Sequence, residues 1–459
     1  MRSSFKQLRF PVSGVAKHLS YGDSTIPDEN RAFAAPYAVN VRNTCTFGER
    51  VRGGSRPGLR RIEGTVTVVD GGKWLWPNGE AIAWPDGNVI AYTSITKEIV
   101  APDGSQIIDQ HEPISAVAAK GAIPSAPSAA AVYCNRVFLA SGADWFCSRI
   151  GEHGDFDYGG IAEDTAKALA GNCALAGRKG ENITAFMPMG DSAMYVATAR
   201  SLWMFRGDPS GGLVRISEYT GCISSNAWCV TPQGIVFLAQ DGLYGAFDDG
   251  VKILSAKIPE DFSGIDEAIL AYDPQAKGVH IFAERFGESC DWFMAMDGYA
   301  FWPVKVPQAM RPVAMCRIIE GGVDKLALHG ADGEWRVFHE EQESDDGEVF
   351  VSEVVVGPFR VSARDGLDGM IDALEATFAK GSAAISVEVF SADSAEEAVE
   401  KTQEVNPVRN PPAKMMSEGR NKVWRPRTRG AWACLKISSL GRWAYEGISV
   451  ETKLLGRFR

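Results

Sequence analysis

Residues 234–247 read Gly234-Ile235-Val236-Phe237-Leu238-Ala239-Gln240-Asp241-Gly242-Leu243-Tyr244-Gly245-Ala246-Phe247. An apolar run meets a polar turn and then a second apolar run, which predicts a tight antiparallel hairpin. An Asp-Gly step between such runs favours a type I′ turn, because both residues tolerate positive φ. The unit recurs. Trp292–Met296 leads through Asp297-Gly298 to Tyr299–Trp302, and Lys325–Leu328 leads through Asp332-Gly333 to Glu334–Phe338. Met194–Thr198 joins Leu202–Phe205 without an Asp-Gly, and Asn135–Ala140 supplies a fifth strand. Asp-Gly occurs ten times in the chain, Asp86-Gly87 and Asp103-Gly104 included.

Spacing turns these hairpins into an architecture. With Val137, Val196, Phe237, Ile281 and Ala327 as equivalent points, the steps are 59, 41, 44 and 46 residues. Four-stranded propeller blades repeat every ~40–50 residues. The long first step contains residues 151–182, read as a loop insertion with one short helix near Ala162–Leu169. Residues 62–110 hold strand and turn signals for a further blade, so five to seven blades are expected over 62–345. Residues 1–61, with Pro11, Pro27, Pro36 and the loop Arg52-Gly53-Gly54-Ser55-Arg56-Pro57-Gly58, lack periodicity and read as an extended arm with loops.

The period stops at an acidic run, Glu340, Glu341, Glu343, Asp345, Asp346 and Glu348, which reads as a solvated linker. Beyond it, strands are predicted at Val351–Val356, Ala373–Phe378, Ala384–Phe390, Trp432–Ser438 and Ile448–Leu454. A helix is predicted over Ser394–Gln403, where Ser394 and Glu397 stand at capping-box spacing. Residues 346–459 therefore read as a separate β-sandwich-like or barrel-like domain with a basic tail. The expected fold class is all-β, a β-propeller plus this C-terminal β-rich domain.

Composition agrees. Forty-eight glycines in 459 residues suit many tight turns, and 10% aromatics suit pleated surfaces. Nine cysteines, an odd number with no Cys-x-x-Cys pair, argue for reduced buried thiols and against a disulfide framework or zinc knuckle. No secretory signal precedes residue 20, and no apolar run reaches the ~18 residues of a membrane helix. The net charge of −11 is unevenly spread. Residues 1–61 hold eleven Lys/Arg against four Asp/Glu, residues 407–459 hold twelve against three, and the middle carries −27. An acidic body of this kind repels phosphates and is a poor non-specific nucleic-acid binder. The basic ends, with Arg425, Arg427 and Arg429 at their centre, are either solvated arms or docking elements for acidic surfaces of neighbouring copies.

Known catalytic patterns are absent from the sequence. The six histidines are dispersed, with no His-Glu-x-x-His or Cys/His cluster, and neither a Gly-x-Ser-x-Gly elbow nor a Walker loop occurs. Asp155-Phe156-Asp157-Tyr158 pairs two carboxylates but has no further ligands at calcium-loop spacing. Arg206-Gly207-Asp208-Pro209-Ser210-Gly211-Gly212 is Gly-rich but lacks the helix a phosphate loop requires. No catalytic, cofactor or metal residue is expected, although loops from different blades can assemble a site that a linear search misses.

Several segments resemble a known family when taken in order. Cys147-Ser148-Arg149-Ile150-Gly151-Glu152-His153-Gly154-Asp155-Phe156-Asp157-Tyr158 is similar to a bacteriophage segment. Ser201–Pro209, Gly221-Cys222-Ile223 and Ala227-Trp228-Cys229 are similar to the next stretch of the same phage proteins. Gly234–Tyr244 and the ending at Arg429-Gly430, Trp443–Ile448 and Gly456-Arg457-Phe458-Arg459 continue the likeness. The chain thus resembles, over roughly residues 30–459, the structural tail proteins of short-tailed bacteriophages, of the tail nozzle or tail hub type. The resemblance implies a virion tail protein made in the host bacterial cytoplasm. It implies a homohexameric ring below a tail adaptor, beside other tail or receptor-binding proteins, with a peripheral propeller and a channel that passes DNA during ejection without specific binding. No catalytic residues carry over. Two other readings stay open: a propeller module recognising a host glycan or protein, and a hydrolase or lyase on a propeller scaffold.

Overall fold

The computed structural model describes residues 3–458 apart from 18–33, 45–46, 49, 63–66, 69–73, 77–78, 84–88, 92–98, 101–105, 109–119, 123–127, 153, 160–162, 175–179, 363–366 and 405–410. Pro27, Cys45, Asp86-Gly87 and Asp103-Gly104 lie outside the described residues. The protein is nearly all β and divides into two compact units. Residues 1–60, 292–307 and 338–459 form one, and residues 61–291 with 308–337 form the other.

The second unit is a β-propeller. Its sheets succeed one another along the chain as antiparallel meanders. Trp74–Trp76, Gly79–Ala83 and Val89–Ala91 form the first, and 129–172, 183–217 and 228–253 form four-stranded sheets. The hairpin Glu267–Asp273/Gly278–Arg285 and the meander Pro312–Glu320/Val323–Gly330/Trp335–Val337 come next. Neighbouring sheets pack in a closed circuit: 129–133 on 183–189, 183–189 on 228–231, 228–231 on 267–273, 267–273 on 312–320, 312–320 on 74–76, and 79–83 back on 129–133. Six sheets thus close a ring among the described residues. Thr67–Val68 pairs with Ile318–Ile319, tying the start of the unit to its last sheet. Closure in this manner covers the apolar sheet faces that an open array would leave exposed at its two ends.

The five residues that set the period, Val137, Val196, Phe237, Ile281 and Ala327, all lie on the second strand of their sheet. Each is buried. Second strands are buried on both faces, so they read as unbroken apolar runs. Between the sheets at 129–172 and 183–217 the packing is aromatic: Phe138 lies 5.6 Å from Phe205 and 5.9 Å from Phe186, and Trp145 meets Phe205 edge-on at 4.9 Å.

The turns differ from expectation. Gln240-Asp241 alone spans the hairpin, and Gly242 already pairs with Ala239 as strand. The two-residue loops with both φ positive are Cys134-Asn135 (49° and 55°), Phe286-Gly287 (52° and 78°), Gly321-Gly322 (60° and 80°) and Asp346-Gly347 (47° and 95°). Among the described residues one Asp-Gly step therefore takes the type I′ form, and it lies in the acidic run read as a linker.

The first unit assembles from distant parts of the chain. One sheet runs in the order Ser3–Leu8, Tyr445–Phe458, Leu367–Phe378, Gly419–Arg420, with Thr428–Gly430 also on Leu367–Phe378. The other runs Ala38–Val39, Ser352–Arg360, Trp432–Ser439, Ile385–Ala392, Lys414–Met416. The helix Ala395–Gln403 begins as predicted, with the Ser394 hydroxyl accepting from the Glu397 amide at 3.1 Å. It packs Ala398 and Val399 against Val355, Ala392 and Cys434, leaving Val354, Val356, Leu435 and Ile437 on the opposite, also buried, face of that sheet.

An aromatic cluster joins the pieces. Phe10 lies 5.8 Å from Trp302, 6.4 Å from Trp443 and 5.9 Å from Tyr445. The Tyr445 hydroxyl donates to the Leu8 carbonyl at 2.6 Å, and the Trp443 indole donates to Ser352 at 2.7 Å. Gly53 sits at φ 75°, and a Cβ there would stand 2.1 Å from the Phe10 ring. Only glycine fits this position, both for its left-handed backbone and for the approach of the ring.

Candidate interaction surfaces

The segment Cys147–Tyr158 serves as a clasp. Arg136 is fully buried and donates to three carbonyls: Ser148 at 2.7 Å, Lys167 at 2.6 Å and Thr165 at 3.1 Å. Arg149 pairs with Asp164 at 2.6 Å, which holds the Asp164 carboxyl below its ordinary range. Asp155 accepts from the Asp157 amide at 3.0 Å, and Asp157 accepts from the Gly159 amide at 2.9 Å. The two carboxylates thus cap turns. Phe156 is buried against Val137 and Leu139, and Tyr158 packs on Phe146. The helix expected near Ala162–Leu169 does not form in its described part. Residues 163–168 make turns and 169–172 a strand. Helix propensity there is overridden because Arg136 and Arg149 bind the segment's carbonyls and carboxylate in a non-helical path.

The Gly-rich loop 206–212 closes on itself. Asp208 accepts from the Ser210 amide at 2.8 Å and caps the short turn Pro209–Gly211. The Gly207 carbonyl receives the Tyr133 hydroxyl at 2.7 Å. Its glycine amides already donate to carbonyls, Gly207 to Ser192, Gly211 to Asp208 and Gly212 to Pro209. Among the described residues no group of three His, Cys, Asp or Glu side chains is placed to hold a metal ion. The eight described cysteines are free thiols. Burial pushes the Cys147 thiol up to about 11 and Cys173 up to about 12, so both stay protonated and weakly nucleophilic near neutral pH.

Several charged side chains are committed to internal pairs. In the propeller, Arg311 holds Asp291 at 3.0 Å and buried Arg336 holds Asp332 through two bonds of 2.9 and 2.7 Å. Hydrogen bonding from Arg336 keeps the Asp332 carboxyl below its ordinary range. A carboxyl depressed in the folded state contributes stability above its unfolded value, and that contribution is lost as pH falls through the folded value. Urea titrations of the wild type and Asp332→Asn should therefore differ at pH ~6, and the difference should shrink as pH falls below the ordinary aspartate value of ~3.9. A constant difference across that range would exclude the linkage.

In the first unit the acidic run is not solvated at Asp345. Arg56 and Asp345 form a bidentate pair at 2.8 and 2.6 Å, with both side chains fully buried. Asn40, at φ 54°, accepts from Arg56 Nε at 2.9 Å and from the Lys305 amide at 2.8 Å. The Arg56 guanidinium stacks 3.8 Å from the Phe350 ring centre. A run of six acids hides one that belongs to the core, and composition does not tell it from its neighbours.

Arg425, Arg427 and Arg429 are exposed, Arg429 on a strand of the first sheet of this unit and Arg425 and Arg427 in the segment leading into it. Arg429 lies on Thr428–Gly430, opposite Met370, which in turn is opposite Lys453. Lys453 Nζ lies 2.6 Å and Arg425 Nη1 3.7 Å from the same Asp372 oxygen. The hydrogen bond from Lys453, with the charges of Arg425 and Arg427, keeps the Asp372 carboxyl below its ordinary range. Phe5, opposite Glu451 and 75% exposed, lies on the same face. Lys453, Met370 and Phe5 carry no motif of their own. Only strand register brings them beside the arginines.

No family model matches the chain. No curated protein matches it either. Similar solved structures include the extracellular domain of the putative one component system BT4673 from B. thetaiotaomicron, at 12% identity and a TM-score of 0.34, covering 62% of this chain and 40% of that one. PorZ, an essential bacterial surface component of the type-IX secretion system of Porphyromonas gingivalis, matches at 11% identity and a TM-score of 0.26, over 68% of this chain and 44% of its own. The extracellular domain of the putative hybrid two component system BT3049 from B. thetaiotaomicron matches at 8% and 0.29, over 80% and 49%. The chain spans less than half the length of each. Among the described residues no helix is long and apolar enough to cross a membrane.

Proposed function

We propose that this chain is a structural subunit of a short-tailed bacteriophage tail, of the nozzle or hub type, working as a homo-oligomeric ring through which DNA leaves. The observation that carries this reading is the ordered series of segments resembling that family, read with the work those segments do. The Cys147–Tyr158 segment clasps a blade, and Trp443–Ile448 supplies the aromatic core and one sheet of the first unit. Their side chains serve architecture, as a scaffold that acts through surfaces requires. Charge distribution supports it as well. The propeller unit holds 20 Lys/Arg against 33 Asp/Glu, and the first unit 27 against 25. A protein lining or flanking a DNA path gains from a body that repels phosphates.

Light scattering and negative-stain imaging of the purified full chain test the reading. A closed ring of six copies is expected. A monomer at every concentration and low salt would overturn it. A second reading, a propeller module binding a host glycan or protein, is favoured by Tyr219 (86% exposed) and Phe286 (82% exposed) on propeller turns. Exposed aromatics at loop tips suit saccharide stacking. Glycan-array binding by a monomeric protein would select it.

A further inference from the structure

We infer that the exposed face of the first unit's Ser3–Leu8 sheet is the docking surface for a second copy of this chain, and that the copy presents the propeller hairpin tip at Phe286-Gly287. The inference rests on the ring reading and names the two surfaces that would close it.

The receiving face is basic with apolar spots. Arg429, Met370 and Lys453 stand in one row across three strands, and Phe5, Glu451 and Ala373 stand in the next row on the same face. Arg425 and Arg427 border it. Two carboxylates, Glu451 and the Asp372 shared between Lys453 and Arg425, stand against Arg425, Arg427, Arg429 and Lys453, so the cluster keeps a positive surplus. Arg427 is held at φ 54°, an uncommon backbone for a long side chain. Phe5 is three-quarters exposed on an edge strand. An exposed aromatic one row from a group of cations suits an acidic partner that also brings an apolar group.

The propeller carries the complement. Phe286 stands at φ 52° at the tip of a two-residue hairpin, where glycine or asparagine would be unstrained, and its side chain is 82% exposed. Glu267 and Glu284 lie directly opposite each other on adjacent strands, a like-charge pairing offset only in part by Arg311, 4.0 Å from Glu284. Asp266 accepts from the Phe286 amide at 3.0 Å, and Glu288 sits opposite Arg285 one step beyond the tip. A strained aromatic and an unfavourable charge pair in one hairpin are local costs of the kind found where a surface serves recognition. The tip and the face differ, so their contact is heterologous and head-to-tail, the type that closes a ring.

Charge reversal tests the pairing. The full chain with Arg425→Glu, Arg427→Glu and Arg429→Glu, and the full chain with Glu267→Lys, Glu284→Lys and Glu288→Lys, should each self-associate about tenfold more weakly or worse in ~50 mM salt. The chain carrying all six substitutions should regain association, since the surfaces are complementary again. Phe286→Gly removes the aromatic and relieves the backbone, so it should weaken assembly while leaving the thermal midpoint unchanged or higher. Rings that form in the wild type and equally in both triple variants would overturn the pairing and leave the ring reading standing. Failure of the six-fold variant to reassemble while its melting curve stays native would overturn it too. A wild type that never associates would overturn the ring reading itself, and this inference with it.

Discussion

Asp345→Ala is expected to destabilise the first unit by about 3–5 kcal/mol, and to lower its unfolding midpoint by roughly 6–20 °C for a unit of this size. The magnitude comes from what is left behind. Arg56 keeps its bonds to the Pro57 and Lys305 carbonyls, at 2.9 and 2.8 Å, but loses the two carboxylate bonds that neutralise it in a site closed to water. The Leu59 amide also loses its partner, the same carboxylate at 3.1 Å. An unpaired buried guanidinium is far more costly than an absent one. Arg56→Met combined with Asp345→Leu should therefore recover much of the loss, because well-packed apolar replacements of a buried pair are often close to neutral. Calorimetry resolves the two units if they melt separately. A single-variant loss below about 1 kcal/mol would mean that water reaches the pair.

That site also marks where the sequence stops being legible. The hairpins and their 41–46-residue steps can be read locally, because second strands are buried on both faces and announce themselves as apolar runs. The helix at 395–403 is legible for the same reason, since its cap is written three residues apart. Pairing across the length of the chain is a different matter. Nothing in Ser3–Leu8 says that Ser3 stands opposite Lys453, since register is set by partners more than 400 residues away. The basic face inherits this blindness. Its arginines can be named from composition, but Met370, Lys453, Asp372 and Phe5 join them only through strand pairing. Asp345 and the 163–168 turn segment escape a local reading for a related reason. In each a buried arginine from elsewhere, Arg56 or Arg136, overrides the local preference of the residues it binds.

Arg136→Met is expected to cost the propeller about 2–4 kcal/mol, and to do so unevenly. Methionine roughly fills the volume, so the loss is chiefly of donors. The Ser148, Lys167 and Thr165 carbonyls all turn toward one guanidinium, and without it they must find water or stay unsatisfied. Ser148 is fully buried, whereas Lys167 is half-buried and Thr165 exposed, so the second pair can relax outward and the first cannot. The strand Asp144–Cys147 would keep its ladder to Arg136–Ser141 and Leu169–Asn172, while the clasp over it opens. Hydrogen exchange should therefore rise in 148–168 well before the flanking strands, and proteolysis should nick the same stretch. Arg136→Lys should rescue little, because one ammonium cannot span three divergent acceptors as a planar fork does. Uniform protection across the clasp in Arg136→Met would show that Arg149 and Asp164 hold it alone. The family-like segment would then owe its form to that surface pair and to the packing of Phe156.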